Sequence, residues 1–177
     1  MEADKAWLAW PFKPSPLRAA ARALAAMVSE RSRQPDFYGP ERAPDTLEGR
    51  LEILMLHAAL LFMRLRRAPE HAPLAAALAD VLFREIDAGL REAGVGDLSV
   101  PRRMRKIAGQ FYGRLAAYEA ALADAPALGA ALARNIPLTP GAPFTAALAV
   151  YAQAAAAALA QAPVEADSLR IAWPTPP

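Results

Sequence analysis

The sequence predicts an all-α protein, a single-domain bundle of five or six helices with an extended C-terminal tail. Apolar residues recur at the helical spacing of three and four in several segments, and prolines and capping residues mark the ends of these segments. No alternation of apolar and polar residues lasts long enough to predict a strand. We expect an N-terminal arm over residues 1–14, the helical domain over 15–162 and the tail over 163–177.

The composition excludes several kinds of chemistry. Cysteine is absent, which rules out disulfides, thiolate zinc sites and cysteine nucleophiles, and the two histidines are too few to predict an imidazole metal site. Neither histidine lies in a motif typical of a catalytic triad. We therefore expect a protein that is not an enzyme and that holds no metal or cofactor.

The sequence shows no pattern typical of a secretory signal or a membrane-spanning segment. Acidic residues occupy the place of the positive region of a signal peptide, and no apolar run reaches the roughly 18–20 residues that span a bilayer. The sequence thus predicts a cytoplasmic protein. Because the net charge is only +2, any dense cluster of cations is a local feature.

The first two helices have clear start signals. Ser15 followed by Pro16 predicts an N-cap and a first helical turn, and this helix is expected to end near Ser32. Asp45 and Glu48 have the spacing of a capping box. The second helix is apolar nearly all round, so it is expected to be the buried centre of the bundle. His57 on this helix is expected to be a hydrogen-bonded residue in the core or at its boundary.

The third helix is predicted to begin at Pro69 or Pro73 and to stop at Gly94. Its acids Glu85 and Asp87 are interpreted as surface charges, because no Glu-x-x-His motif accompanies them. A short fifth helix and an alanine-rich sixth helix are expected near the C-terminus. The sixth is only weakly apolar and is interrupted by glutamines, so a membrane span is not predicted. Trp173 is a candidate anchor for the tail.

The fourth helix carries the main candidate site. Ser99 is its predicted N-cap, and cations fill its first turns, where the helix dipole disfavours positive charge. Placing Arg102, Arg103, Arg105 and Lys106 there costs stability, which suggests a negatively charged partner. Clustered cations favour anionic lipid headgroups or ribosomal RNA.

Farther along this helix, Gly109 and Gly113 share one stripe with small residues, which indicates that another helix approaches closely there. That helix is either part of the same domain or part of a partner. The opposite face, with Phe111 and Tyr118, is expected to belong to the core. The candidate partner-binding residues are Arg102, Arg103, Arg105, Lys106, Gly109, Phe111, Tyr112, Gly113, Arg114 and Tyr118.

Several segments together resemble the ubiquinol–cytochrome c chaperone family. They are Pro35–Tyr38, Pro44–Thr46 with Gly49-Arg50, Leu56-His57, Gly94–Val100 with the basic run to Lys106, and Phe111–Leu122. The resemblance covers most of residues 16–135.

The resemblance implies an assembly chaperone for the cytochrome bc1 complex that binds newly made cytochrome b. Mitochondrial members of the family bind that client, and some associate with the ribosome. The ribosome is therefore expected as a further partner. The basic cluster also predicts an anionic membrane surface as a partner, with a peripheral position at the inner face of the cytoplasmic membrane, and no DNA is expected. The alternative is an RNA- or ribosome-binding helical module that uses residues 102–106.

Overall fold

The computed structural model describes residues 15–96, 98–137, 142–164 and 171–177, and the regular secondary structure within these ranges is helical. The helices are α1 (Pro16–Ser32), α2 (Leu47–Leu65), α3 (Ala72–Glu92), α4 (Val100–Ala121), α5 (Ala125–Ala133) and α6 (Pro143–Gln161). Short 3-10 turns at Pro35–Phe37 and Pro69–His71 precede α2 and α3. This architecture confirms the predicted all-α, single-domain fold. The predicted arm over 1–14 lies outside the described residues.

The helix starts follow the sequence signals with small shifts. The Ser15 hydroxyl accepts a hydrogen bond from the Arg18 N–H at 3.3 Å, as predicted for the cap of α1. The capping box predicted for α2 is wrong by one residue, since Thr46 accepts from the Gly49 N–H at 3.2 Å while Asp45 pairs with Arg50. Thr is in general a somewhat weaker N-cap than Asp, but here the Asp45 carboxylate is engaged by Arg50 and the cap falls to Thr46.

Two further starts differ from prediction. α3 begins at Ala72, between the two predicted prolines, because the first proline starts a separate 3-10 turn. Ser99 stands directly before α4 as expected, but its predicted capping bond is not formed. Its hydroxyl donates instead to the Gly96 carbonyl at 2.7 Å and stabilises the preceding turn.

The central position predicted for α2 is confirmed. Its residues Ile53, Leu56, Leu61 and Leu65 are fully buried. Helices α1, α4 and α6 pack around it, α5 packs on α6, and α3 packs mainly on α1 rather than along α2. The chain therefore forms one core, with α3 displaced toward α1.

The alanine-rich helix α6 is, within the described residues, the one helix long and apolar enough to cross a membrane by length and composition. In this fold its apolar side chains Leu148, Tyr151 and Leu159 are buried against the bundle. The Gln153 side-chain amide donates to the Leu122 carbonyl at 2.8 Å, which fixes α6 to the end of α4.

Candidate functional site

The basic start of α4 is largely free of intramolecular partners. The side chains of Arg102, Arg105 and Lys106 are exposed, and within the described residues no ion pair or hydrogen bond involves them. Arg103 differs, because its Nη2 pairs with Glu48 Oε1 at 3.0 Å. Three cations that oppose the helix dipole are thus left uncompensated by the described fold.

The surface beside these cations has two other unusual properties. No acidic residue occurs from 98 through 118, so no carboxylate on this stretch offsets the positive charge. Leu98 is 100% exposed in the turn before α4, and Tyr112 is 54% exposed on the helix itself. The outer face of α4 therefore combines unpaired cations with projecting apolar and aromatic side chains.

The small-residue stripe of α4 faces solvent. A methyl group added at Gly109 or Gly113 would meet no atom within 4 Å. The prediction that a helix of the same domain packs there is therefore wrong for the part of the chain that the structure describes. The other interpretation, a helix contributed by a partner, stays a prediction.

Two of the candidate partner-binding residues lie in the core. Phe111 is 4% exposed and meets the rings of Phe62 and Phe83 edge to face, with centroids 5.3 and 5.9 Å away. Tyr118 is buried, its hydroxyl accepts from the Asn135 amide at 3.3 Å, and burial raises its pKa to about 12. In this conformation both residues stabilise the bundle, and neither lies on the exposed basic face of α4.

Arg114 is also internal, which corrects its inclusion among the surface candidates. Its Nε and Nη2 donate to the two carboxylate oxygens of Glu52 at 2.7 and 2.6 Å. Burial raises the pKa of the Glu52 carboxyl, and the Arg114 guanidinium opposes that shift. The pair joins α4 to α2. A signal was present in the sequence, because Arg114 shares the helical face of Phe111 and Tyr118.

A second polar group is buried around His57. Its Nε2 accepts from the Tyr151 hydroxyl at 2.8 Å, and its Nδ1 donates to the Ile53 carbonyl at 2.8 Å, since a carbonyl can only accept. Burial and the nearby charge of Arg31 together lower the pKa of His57 to about 4, against the opposing effect of its hydrogen bond to the Ile53 carbonyl. His57 is therefore neutral near pH 7. The prediction of a hydrogen-bonded histidine in the core or at its boundary is confirmed, and the residue lies in the core.

Arg31 connects this group to the tail. Its Nε donates to the Tyr151 hydroxyl at 3.0 Å, and its Nη2 donates to the Pro174 carbonyl. The guanidinium carbon lies 5.4 to 5.9 Å from the ring centroids of Phe37, Tyr151 and Trp173. The Trp173 ring is also 5.5 Å from the His57 ring, so Trp173 anchors the tail, as the sequence suggested.

An apolar furrow, which sequence reasoning missed, runs between α2 and α3. Its wide end is a cavity of about 200 Å³, and its narrow end is a crevice of about 10 Å³ that continues toward α4. Both are lined by Leu54 and Ile86, so the two adjoin. The furrow arises because α3 leans on α1, and periodicity within single helices carries no information about that choice.

Metal binding finds no support among the described side chains. No group of three or more His, Asp and Glu residues in these ranges is arranged to hold a metal ion. The features able to act are surfaces: the outer face of α4 and the apolar furrow.

Comparison with known proteins identifies the family. A model of the ubiquinol–cytochrome c chaperone family matches residues 42–167, a range that includes α2 to α6 and both surfaces. This chain belongs to the ubiquinol–cytochrome c chaperone family. The assignment makes it a member of a group of chaperones that act in assembly of the cytochrome bc1 complex.

A solved structure agrees with this assignment. The Cbp3 homolog from Brucella abortus superposes with a TM-score of 0.78 at 37% sequence identity, over 88% of this chain and 90% of that one. No protein with a curated functional description matches the sequence. The fold of this chaperone family member is therefore shared with a relative along nearly the full length of both chains.

Proposed function

We propose that this protein binds newly made cytochrome b, or its transmembrane segments, while the cytochrome bc1 complex is assembled. The observation that carries the proposal is the family match over residues 42–167, supported by the fold shared with the Brucella Cbp3 homolog. Cytochrome b is an intensely apolar membrane protein, so a chaperone for it requires exposed apolar surface. The furrow between α2 and α3 provides such surface in this structure.

A deletion strain tests this proposal. Loss of the gene should lower the cytochrome b content of the membranes and the bc1 activity together, and leave a terminal oxidase of the same membranes unchanged. Expression of the intact protein from a plasmid should restore both quantities. Normal cytochrome b content and normal bc1 activity in the deletion strain would contradict the proposal.

We further propose that the protein docks peripherally on the inner face of the cytoplasmic membrane through the start of α4. Arg102, Arg105 and Lys106 have no described partner, and the fully exposed Leu98 beside them fits an interface where it can enter the headgroup region. RNA or the ribosome is the alternative partner for the same cations. A projecting leucine gains little from phosphate contacts, so we favour lipid.

Vesicle binding tests the docking proposal. The reversals Arg102→Glu, Arg105→Glu and Lys106→Glu should reduce binding to phosphatidylglycerol vesicles about 100-fold, at roughly 1 kcal/mol for each cation. Glutamate is favoured at a helix N-terminus, so the variant should fold at least as stably as the native protein.

The matched control reverses three other exposed cations, Arg18, Arg22 and Arg84, and should bind vesicles nearly as the native protein does. Added salt should weaken vesicle binding by the native protein and by this control variant. Co-sedimentation with ribosomes at low salt, without binding to anionic vesicles, would assign the cluster to RNA and overturn the lipid proposal.

A further inference from the structure

We infer that the apolar furrow between α2 and α3 is the surface that holds the client, and that its occupant is an apolar helix of the transmembrane type. The inference rests on the proposed function, and it adds which surface acts and which form the bound segment takes. No residue of the basic start of α4 lines the furrow, so the two surfaces can be tested separately.

The floor of the furrow is formed by side chains that a soluble helix pair would normally bury. Leu51, Leu54, Phe83 and Ile86 are only half-buried, and Leu47 at the wide end is 36% exposed. They remain accessible because α3 packs mainly on α1. A second apolar element laid along α2 and α3 would complete the burial of these side chains, which favours binding in proportion to the apolar area removed from water.

The chemistry of the floor determines the form of the occupant. The narrow end is lined only by apolar residues, and polar side chains occur at the wide end, including Ser29, Arg33 and Glu85. An extended peptide would leave its backbone N–H and C=O groups without partners along such a floor, at a cost of several kcal/mol per group in a dry contact. A helix satisfies these groups internally. The occupant is therefore helical.

The dimensions agree with a helix and not with a lipid chain. From Leu47 to Phe62 the furrow follows about four turns of α2, or roughly 22 Å at 1.5 Å per residue. The wide end has room for one large apolar side chain. The narrow end, at about 10 Å³, is too shallow to enclose an acyl chain, but it suffices for the contact of a helix ridge with a groove.

Site-specific photo-cross-linking in living cells tests the inference directly. A photoreactive amino acid is placed at Leu47 in the furrow, at Tyr112 on α4, or at Leu17 in α1, in a strain that carries epitope-tagged cytochrome b. Leu17 is a matched control because it also lies in the first turn of a helix, is 41% exposed, and does not line the furrow. The tagged client should be captured at Leu47 and not at Leu17.

A pair of substitutions measures the contribution of the furrow. Leu47→Glu places a charge at its wide end, where the bound helix would bury it, and should reduce co-purified cytochrome b at least tenfold. Leu17→Glu should leave the amount unchanged. Both substitutions put an acid at a helix N-terminus, where the dipole favours it, so both variants should fold.

The outcomes separate the furrow from the proposed function. Capture at Tyr112 but not at Leu47 would overturn the furrow and leave cytochrome b as the client. A Leu47 adduct with a second copy of this chain, or with a phospholipid, would also overturn the inference. If no position captures cytochrome b and the deletion strain has normal cytochrome b content, the proposed function itself fails.

Discussion

Among single residues, the buried pair of Arg114 and Glu52 shows most directly how charge is used in this fold. Both oxygens of the carboxylate are satisfied by one planar guanidinium, which compensates part of the cost of removing two charges from water. Arg103 and Glu48 form a second pair between the same two helices, but at the surface. The two pairs thus differ mainly in burial.

Arg114→Met should lower the free energy of unfolding by about 3–5 kcal/mol, because it leaves the Glu52 carboxylate buried without its cation. Arg103→Met removes the exposed pair and should cost about 0–1 kcal/mol, since solvent screens that interaction. Urea denaturation followed by circular dichroism measures both. Equal, small losses in the two variants would show that Arg114 is not required to compensate Glu52.

His57 makes stability depend on pH. In the folded protein its pKa is about 4, against an ordinary value of 6.5, so the unfolded chain binds the proton first as the pH falls. Stability from this group is fully present above pH 6.5 and is lost as the pH falls toward 4, by about 3 kcal/mol in all. In His57→Gln that loss should be absent. Unfolding free energies at several pH values between 7 and 4 measure the difference, and parallel profiles for the two proteins would contradict it.

Residue roles were predictable where one helix contains the whole signal. His57 lies within an apolar helix with no catalytic motif, and its core role followed. Arg114 was misassigned because its partner Glu52 is 62 residues away, on another helix. Because basic residues precede Arg114 on the same helix, it was assigned to the surface cluster, although it shares the helical face of core residues. Whether a charged side chain finds a partner depends on how the helices pack together. The sequence of one helix does not contain that information.

At the level of elements, two helical glycines have opposite surroundings. A methyl group at Gly49 in α2 would overlap the carbonyl of Pro44, so the loop before α2 packs against the helix only because no side chain is present. A methyl group at Gly113 in α4 would meet nothing within 4 Å. The same substitution should therefore change stability in opposite directions.

Gly49→Ala should lower the unfolding free energy by about 1–3 kcal/mol, because backbone atoms must shift to admit the methyl group. Gly113→Ala should raise it by about 0.5–1 kcal/mol through better helix propensity. Thermal or urea denaturation of the two variants measures the direction of each change in stability. A gain in stability for Gly49→Ala would show that the loop yields freely.

The existence and order of the helices could be predicted because each has its own periodicity and end signals. The identity of the N-cap residue of α2 could not be predicted in the same way, since Asp45 and Thr46 are adjacent and both residue types are favoured at this position. The position of α3 against α1, and with it the furrow, could not be predicted at all. Several helices offer apolar stripes to α3, and the choice among them depends on shapes that form only in the assembled core.

For the whole molecule, the contacts of Trp173 attach the C-terminal tail to the helical bundle. The tail brings an aromatic ring and a backbone carbonyl to Arg31, and so connects α1, α2 and α6 with the C-terminus. Trp173→Ala should lower the unfolding free energy by about 1–3 kcal/mol, as expected for truncation of a half-buried aromatic residue.

Tyr112→Ala provides the comparison, since that ring is 54% exposed and should contribute less than about 1 kcal/mol. Chemical denaturation compares the two variants. If both lose the same small amount, the tail rests on the surface without stabilising the bundle.

The bond from Arg31 to Pro174 also has a consequence for how the protein is made. The two residues are 143 positions apart, so at about 5–20 residues per second the ribosome reaches Pro174 roughly 7–30 s after it has added Arg31. During that interval the cluster around His57, between α1 and α2, lacks the contacts of Trp173 and Pro174. Messages cut short near their 3′ end would yield chains that keep every helix and lack this closing contact, and such products are the ones that proteases should remove first.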